Sequence, residues 1–247
     1  AKKYCYAHTA ATSAETNFDS IPAIDTWNLT EGAAYVHTCS NETIGGVEYK
    51  EDPTIATGVP LVTDMSSNFL SKPIDVSKYG VIYAGAQKNV GPSGVTILIV
   101  REDLIGNARP ECPTMLDWAT MANDGSLYNT PPSYGIYMCG LTFQHLHDQG
   151  GLAAVAAQNE AKASILYKAI ETSGGFYSCP VDEKVRSLMN VPFRVVPNEL
   201  EGEFLEEAKK LGLMQLKGHR SVGGIRASIY IAMPQEGIEA LVELMLD

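Results

Sequence analysis

The sequence predicts an α/β fold, with a mixed, mostly parallel sheet between helices and a smaller α+β domain at the C-terminal end. Three observations carry this expectation. Apolar runs of strand length, bounded by polar or glycine-bearing turns, recur at Ala33 to Thr38, Leu61 to Val62, Tyr79 to Tyr83 and Val95 to Val100. The last two runs have no helix between them, so the sheet requires an antiparallel member. A long alanine-rich stretch, Leu152 to Ser173, places Leu, Ile and Tyr at helical spacing and stops at Gly174-Gly175, where a helix C-cap belongs. It separates residues 1–156, read as a large domain, from residues 157–247, read as a small one.

The elements follow in order. Lys3 to Ala7 reads as a short strand and Asn17 to Ile21 as loop. Ala33 to Thr38 is a strand leading into the polar turn Cys39-Ser-Asn-Glu-Thr-Ile-Gly-Gly46, a turn of the kind that presents side chains. Leu61 to Val62 is a strand ending at Asp64. The runs ending at Tyr83 and Val100 read as buried strands. Thr114 to Met121 suits a short helix or loop, Pro131-Pro132 is a break, and Tyr134 to His147 is a helix. Beyond the long helix come a strand at Leu188 to Val196, a helix from Gly202 to Leu211, a strand at Ile225 to Ile231 and a last helix from Gln235.

Composition narrows the class. At 247 residues, 45% hydrophobic and 19% charged, the chain can bury a sizeable core. A formal charge of −11 argues against nucleic acid or an anionic membrane as partner. An anionic substrate must therefore be held by a local positive cluster. No apolar run is long enough for a transmembrane helix. Cys5, Cys39, Cys112, Cys139 and Cys179 have no metal-like spacing, which fits a reduced, cytoplasmic-type compartment and thiols used for packing. His145 and His147 are two apart and do not share a helix face, so no metal site is expected there. His8 and His37 read as structural.

Two residues invite a chemical reading. Lys88 sits in the glycine-rich turn Ala84-Gly-Ala-Gln-Lys-Asn-Val-Gly-Pro-Ser-Gly94 between two strands. A lysine there is either a surface residue or an amine whose pKa burial lowers, fit for a Schiff base. Asp64 falls at the C-terminal end of a short strand, where open α/β sheets bind ligands, although aspartate is also an ordinary cap or turn residue. Pyridoxal phosphate (PLP) needs a lysine for its aldehyde and a carboxylate for its pyridine nitrogen, and these two could serve.

Five segments carry a resemblance: Asn41-Glu-Thr-Ile-Gly-Gly46, Thr63-Asp-Met-Ser66, Ala84 to Gly94, Tyr128-Asn-Thr-Pro-Pro132 and Lys217-Gly-His-Arg-Ser-Val-Gly-Gly-Ile-Arg-Ala-Ser228. In this order they resemble the phosphoserine aminotransferases, PLP enzymes of fold type I. The glutamine before Lys88 separates them from the related cysteine desulfurases. The resemblance implies that Lys88 carries PLP and acts as general base, that Asp64 faces the pyridine nitrogen and that Thr43 bonds the ring hydroxyl. It assigns the cofactor phosphate to Ser66 and Gln87, with Asn129 and Thr130 reaching it across a homodimer interface. It assigns the substrate carboxylate to Arg226 and the distal phosphate, or the γ-carboxylate of glutamate, to His219 and Arg220. By the same resemblance the chain begins inside the large domain and lacks the family's phosphate loop and ring-stacking aromatic. The implied activity exchanges an amino group between O-phosphoserine and 2-oxoglutarate in serine biosynthesis. A related phosphorylated threonine derivative of pyridoxine synthesis is a second substrate class. The other readings are an alanine–glyoxylate-type aminotransferase and a catalytically inert structural fragment.

Overall fold

The computed structural model describes residues 1–55 and 58–247. Three strands run parallel: β1 (Val36–Cys39), β4 (Leu61–Asp64) and β5 (Val81–Gly85), with β6 (Thr96–Val100) antiparallel at the edge, in the order β1-β4-β5-β6. Between β1 and β4 lies a small hairpin, β2 (Asn41–Glu42) with β3 (Val47–Glu48). Period-two alternation divides the sheet into two faces. Val36, Leu61, Ile82 and Ala84 point to one and are buried with Met65, Phe69, Val90 and Cys139 of the helix α2 (Ser133–Asp148). His37, Cys39, Asp64 and Tyr83 point to the other, which is open.

A short helix, α1 (Trp118–Asn123), precedes α2, and α3 (Gly151–Glu171) follows it. The expected boundary at 156/157 falls within α3. A second sheet, β7 (Tyr177–Ser178), β8 (Asn190–Val195) and β9 (Ile225–Ser228), is antiparallel throughout. It packs on α3, on α4 (Glu201–Lys210) and on α5 (Gln235–Leu246) through a second core around Leu166, Phe193, Ile225 and Ile238. Phe193, Tyr177 and Phe204 meet edge to face at 5.9 Å between ring centres, the arrangement favoured by aromatic quadrupoles.

Most expected elements are present. Lys3 to Ala7 is a turn instead of a strand: Tyr4 N and Cys5 N both donate to Ala1 O, so these groups bond locally and no ladder forms. The strand at Val95 to Val100 forms, but Leu98 and Ile99 are 47% and 39% exposed, because β6 is the sheet edge among the described residues. The strand expected to reach Ile231 stops at Ser228, since the backbone beyond it bonds elsewhere. Cys139 is buried as expected of a packing thiol, whereas Cys5 and Cys39 are exposed. No helix among the described residues is long and apolar enough to cross a membrane.

Lys162 of α3 is 4% exposed and pairs with no carboxylate among the described residues. Its ammonium donates to Ile229 O (3.3 Å), Tyr230 O (2.9 Å) and Met233 O (3.0 Å), fixing the segment after β9 to α3. Burial pushes the amine down to about 8. Lys162→Met leaves three carbonyls unsatisfied and is expected to cost about 2–4 kcal/mol by urea denaturation. From pH 8 up to the ordinary lysine range the unfolded chain holds more protons at this position than the folded one. The wild-type advantage over Lys162→Met should therefore widen as pH rises through that window.

Candidate active site

The parallel strands all end on one side of the sheet, and their C-terminal ends deliver the site. After β1 the chain turns into the β2–β3 hairpin and presents Thr43. β4 ends at Asp64, and β5 ends at Gly85, three residues before Lys88. The Lys88 amine donates to Thr43 Oγ1 at 2.6 Å. Half-buried, it is held below the ordinary lysine value chiefly by desolvation, with the positive Arg226 acting the same way; the carboxylate of Asp64 opposes both. Asp64 Oδ1 accepts from Ser66 N at 2.8 Å, so the carboxylate closes its own turn and is fixed in orientation. Ser66 Oγ accepts from Gly85 N at 3.0 Å, which ties the Asp64 turn to the lysine turn. Gly85 has a local reason: a Cβ there would stand 2.7 Å from Gln87 Oε1, so only glycine lets the Gln87 side chain fold back over this turn.

Arg226 arrives from the second sheet. Its Nη1 donates to Thr43 O at 3.3 Å, and its buried Nε has no hydrogen-bond partner among the described residues. His219 and Arg220 lie on a loop between Lys217 and Ile225. Gly218 N donates to Gly224 O at 2.8 Å, and a Cβ on Gly218 would lie 2.0 Å from Gly223 O, so this close approach demands glycine. Gly223 and Gly224 both have positive φ, 71° and 70°. Arg194 of β8 braces the loop: Nη2 donates to Val222 O at 3.0 Å, and Nη1 bonds Glu201 at 3.1 and 3.2 Å. A cleft of about 470 Å³ opens beside Lys88 between α2 and α3, lined among others by Asn89, Met138, Leu141, His145 and Ile231.

The expected residues fall into two groups. Lys88, Thr43, Asp64, Ser66, Gln87 and Arg226 converge around the strand ends. His219 and Arg220 make no hydrogen bond to that cluster; His219 Nδ1 instead pairs with Ser221 Oγ at 2.7 Å. Asn129 and Thr130 are exposed ahead of α2, and the Asn129 amide donates only to Thr130 O at 3.3 Å. One expectation is corrected. His37, read as having no constellation, pairs through Nε2 with Tyr83 OH at 2.9 Å on the face that bears Asp64. The spacing of the residues held no signal for this pair: it follows from the strand register, which sets His37 opposite Val62 and Cys39 opposite Asp64.

The parallel strand ends, with their antiparallel edge and the second sheet, have the architecture of fold-type I PLP aminotransferases. The chain belongs to the aminotransferase class-V family, which it matches over residues 8–241. It is 57% identical over 247 residues to phosphoserine aminotransferase 1, chloroplastic, of Arabidopsis thaliana; all of this chain is matched, but it spans only 57% of the relative's length. It superposes on the phosphoserine aminotransferase of Bacillus circulans subsp. alkalophilus with a TM-score of 0.97 at 49% identity, covering 99% of this chain and 68% of that one. The PLP-bound phosphoserine aminotransferase of Trichomonas vaginalis matches at a TM-score of 0.88 and 40% identity, over 93% of this chain and 64% of that one.

A lowered amine pKa leaves more free base at a given pH, so aldehyde capture should plateau earlier. In reductive methylation with formaldehyde and cyanoborohydride, Lys88 is expected to reach half-maximal rate at a lower pH than the exposed Lys210, which its bond to Glu207 holds above the ordinary lysine value, read by peptide mass spectrometry.

Proposed function

We propose that this chain carries the core of a PLP-dependent aminotransferase acting on O-phosphoserine and 2-oxoglutarate, giving 3-phosphohydroxypyruvate and glutamate. The observation that carries the reading is one cluster holding a half-buried amine at Lys88, a fixed carboxylate at Asp64 and an unpartnered buried guanidinium nitrogen at Arg226. The similarity to phosphoserine aminotransferases supports the same substrates. The residues fit the cofactor: Lys88 for the aldehyde, Thr43 for the ring hydroxyl, Asp64 for the pyridine nitrogen, Ser66 and Gln87 for the phosphate. Bound there, PLP supplies an aldehyde for amino groups and a ring that withdraws electrons from the substrate's Cα.

The chain's own groups do the rest. Lys88, held below the ordinary lysine value by desolvation, moves the proton between the substrate Cα and the cofactor's C4′. Asp64 keeps negative charge at the pyridine nitrogen. The planar guanidinium of Arg226 grips the substrate α-carboxylate in two parallel bonds and aims the Cα–H bond at Lys88. His219 and Arg220 form one anion pocket for the phosphate of phosphoserine or the γ-carboxylate of glutamate, so both half-reactions share a site in ping-pong fashion. A phosphorylated threonine derivative presents the same pair of anions. The exposed Asn129 and Thr130 complete the phosphate site of a second copy, which makes the active form a homodimer. We place the division between large and small domains at 156/157, and the enzyme in the cytoplasm and in serine biosynthesis.

The visible spectrum of the chain with PLP, before and after phosphoserine, tests this. A band near the yellow region that is bleached by phosphoserine supports the reading; a band that ignores phosphoserine but responds to alanine supports the alanine–glyoxylate type; no band in wild type overturns it. Lys88→Ala should abolish the band. His219→Ala should lower kcat/KM for phosphoserine by about 10–100-fold, the loss of one charge-assisted bond, and leave alanine turnover unchanged. Arg194→Ala releases the loop brace and should raise KM for phosphoserine by about tenfold with little change in kcat.

A further inference from the structure

Beyond the residues that touch the cofactor lies a pair that the proposed chemistry does not use. His37 on β1, Asp64 at the end of β4 and Tyr83 on β5 all point to the open face of the sheet. Asp64 stands directly opposite Tyr83 in the ladder, and His37 stands opposite Val62, two residues before Asp64. Tyr83 must therefore lean across β4 to meet His37. It does: Nε2 and the phenol oxygen are 2.9 Å apart, and the rings lie 6.0 Å apart at an angle of 32°. The hydroxyl is thereby set over the strand that carries Asp64.

We propose that His37 and Tyr83 form a positioning pair for Asp64, in which the imidazole Nε2–H donates to the phenol oxygen and the phenol O–H donates to the Asp64 carboxylate. The inference rests on Asp64 as the partner of the pyridine nitrogen. The direction of the chain follows from proton counting. A phenol has one proton to give and lone pairs to receive. Burial pushes the Tyr83 phenol up to about 12, helped by the Asp64 charge, so it stays a donor. Burial holds His37 below its ordinary value although Asp64 pulls it up, so the ring is neutral and carries one N–H.

The other titratable groups facing Asp64 and Tyr83 do not compete for this role. Cys39, pushed up to about 11 by desolvation and by Asp64 and Glu42, is an uncharged thiol whose Sγ is committed to Asn41 O. Tyr35 precedes β1 and is exposed, and Lys88 is committed to Thr43. Asp64 Oδ1 already accepts from Ser66 N. A second donor, from the phenol, would hold the carboxylate's orientation toward its partner nitrogen from a second side. Removing the phenol frees the carboxylate to turn away from the ring nitrogen, which leaves that nitrogen less stably protonated, weakens the electron sink and makes the lysine-linked nitrogen more basic.

The test uses the whole chain with Tyr83→Phe, His37→Phe and His37→Gln, and has two readouts. With PLP bound, the pH midpoint of the visible band should rise by about half to one pH unit in Tyr83→Phe and His37→Phe, and the PLP dissociation constant should rise by about threefold to tenfold. His37→Gln keeps an N–H donor and should stay near wild type. An unchanged midpoint in Tyr83→Phe, with only weaker binding or a lower melting temperature, reduces the pair to packing and overturns the proposal. Without cofactor, nitrogen-15 imidazole spectra should show His37 neutral with its proton on Nε2, and Tyr83→Phe should perturb that signal. A proton on Nδ1 means that the phenol donates to His37 instead of Asp64, and overturns the proposal. If wild type takes up no PLP, the cofactor reading fails by itself, and the tautomer still decides whether the pair exists.

Discussion

One buried amide, that of Asn41, holds the site together. It lies 1% exposed where β1 passes into the hairpin, and its Nδ2 donates to Ser67 Oγ at 2.8 Å and to Asn190 Oδ1 at 2.9 Å. Ser67 Oγ returns a bond to Asn41 O at 2.7 Å, and Asn190 Nδ2 goes on to Ser228 Oγ and Tyr230 OH, both at 3.2 Å. Each partner is a near neighbour of a residue of the candidate site: Thr43 beyond Asn41, Asp64 before Ser67, Arg226 before Ser228. A hydrogen bond in low dielectric has a narrow geometry and a high cost of breaking. Fixing this amide therefore fixes the three elements on which the amine, the carboxylate and the guanidinium depend. Glu48 extends the seam, accepting from Asn68 Nδ2 at 3.0 Å and Leu188 N at 2.9 Å, and Asn89 Oδ1 accepts from Ile231 N at 3.2 Å. Two cores that would otherwise slide on apolar contacts are pinned by directional bonds.

The electrostatics are local. A chain of net charge −11 repels anions at a distance, yet the proposed substrates and cofactor are all anionic. Attraction must act over a few ångströms, where desolvated donors are worth most. Lys88 and Arg226 share the Thr43 residue, one at its hydroxyl and the other at its carbonyl. Two cations this close each lower the other's comfort with charge. For lysine it favours the neutral amine that the chemistry requires.

Rigidity is distributed by function. The carboxylate and the amine stand on turns closed by their own side chains and backbone. The loop of His219 and Arg220 is shaped by three glycines and held by the Arg194–Glu201 brace.

Much of this was legible in the sequence because it is local. Hydrophobic period and glycine punctuation gave the strands around Asp64 and Lys88, α2, α3 and α5, and the C-terminal position of Asp64 on its strand followed from the apolar run before it. The motifs named Thr43, Ser66, Gln87 and Arg226, and the fold brought all of them to one place. Tertiary structure alone decided the rest. The pairing of Asn41 with Asn190 spans 149 residues, and the meeting of His37 with Tyr83 spans 46. Such contacts depend on which strands become neighbours and in what register. That choice is made by the summed burial of whole sheets and helices, and it leaves no trace in the spacing of the residues that finally touch.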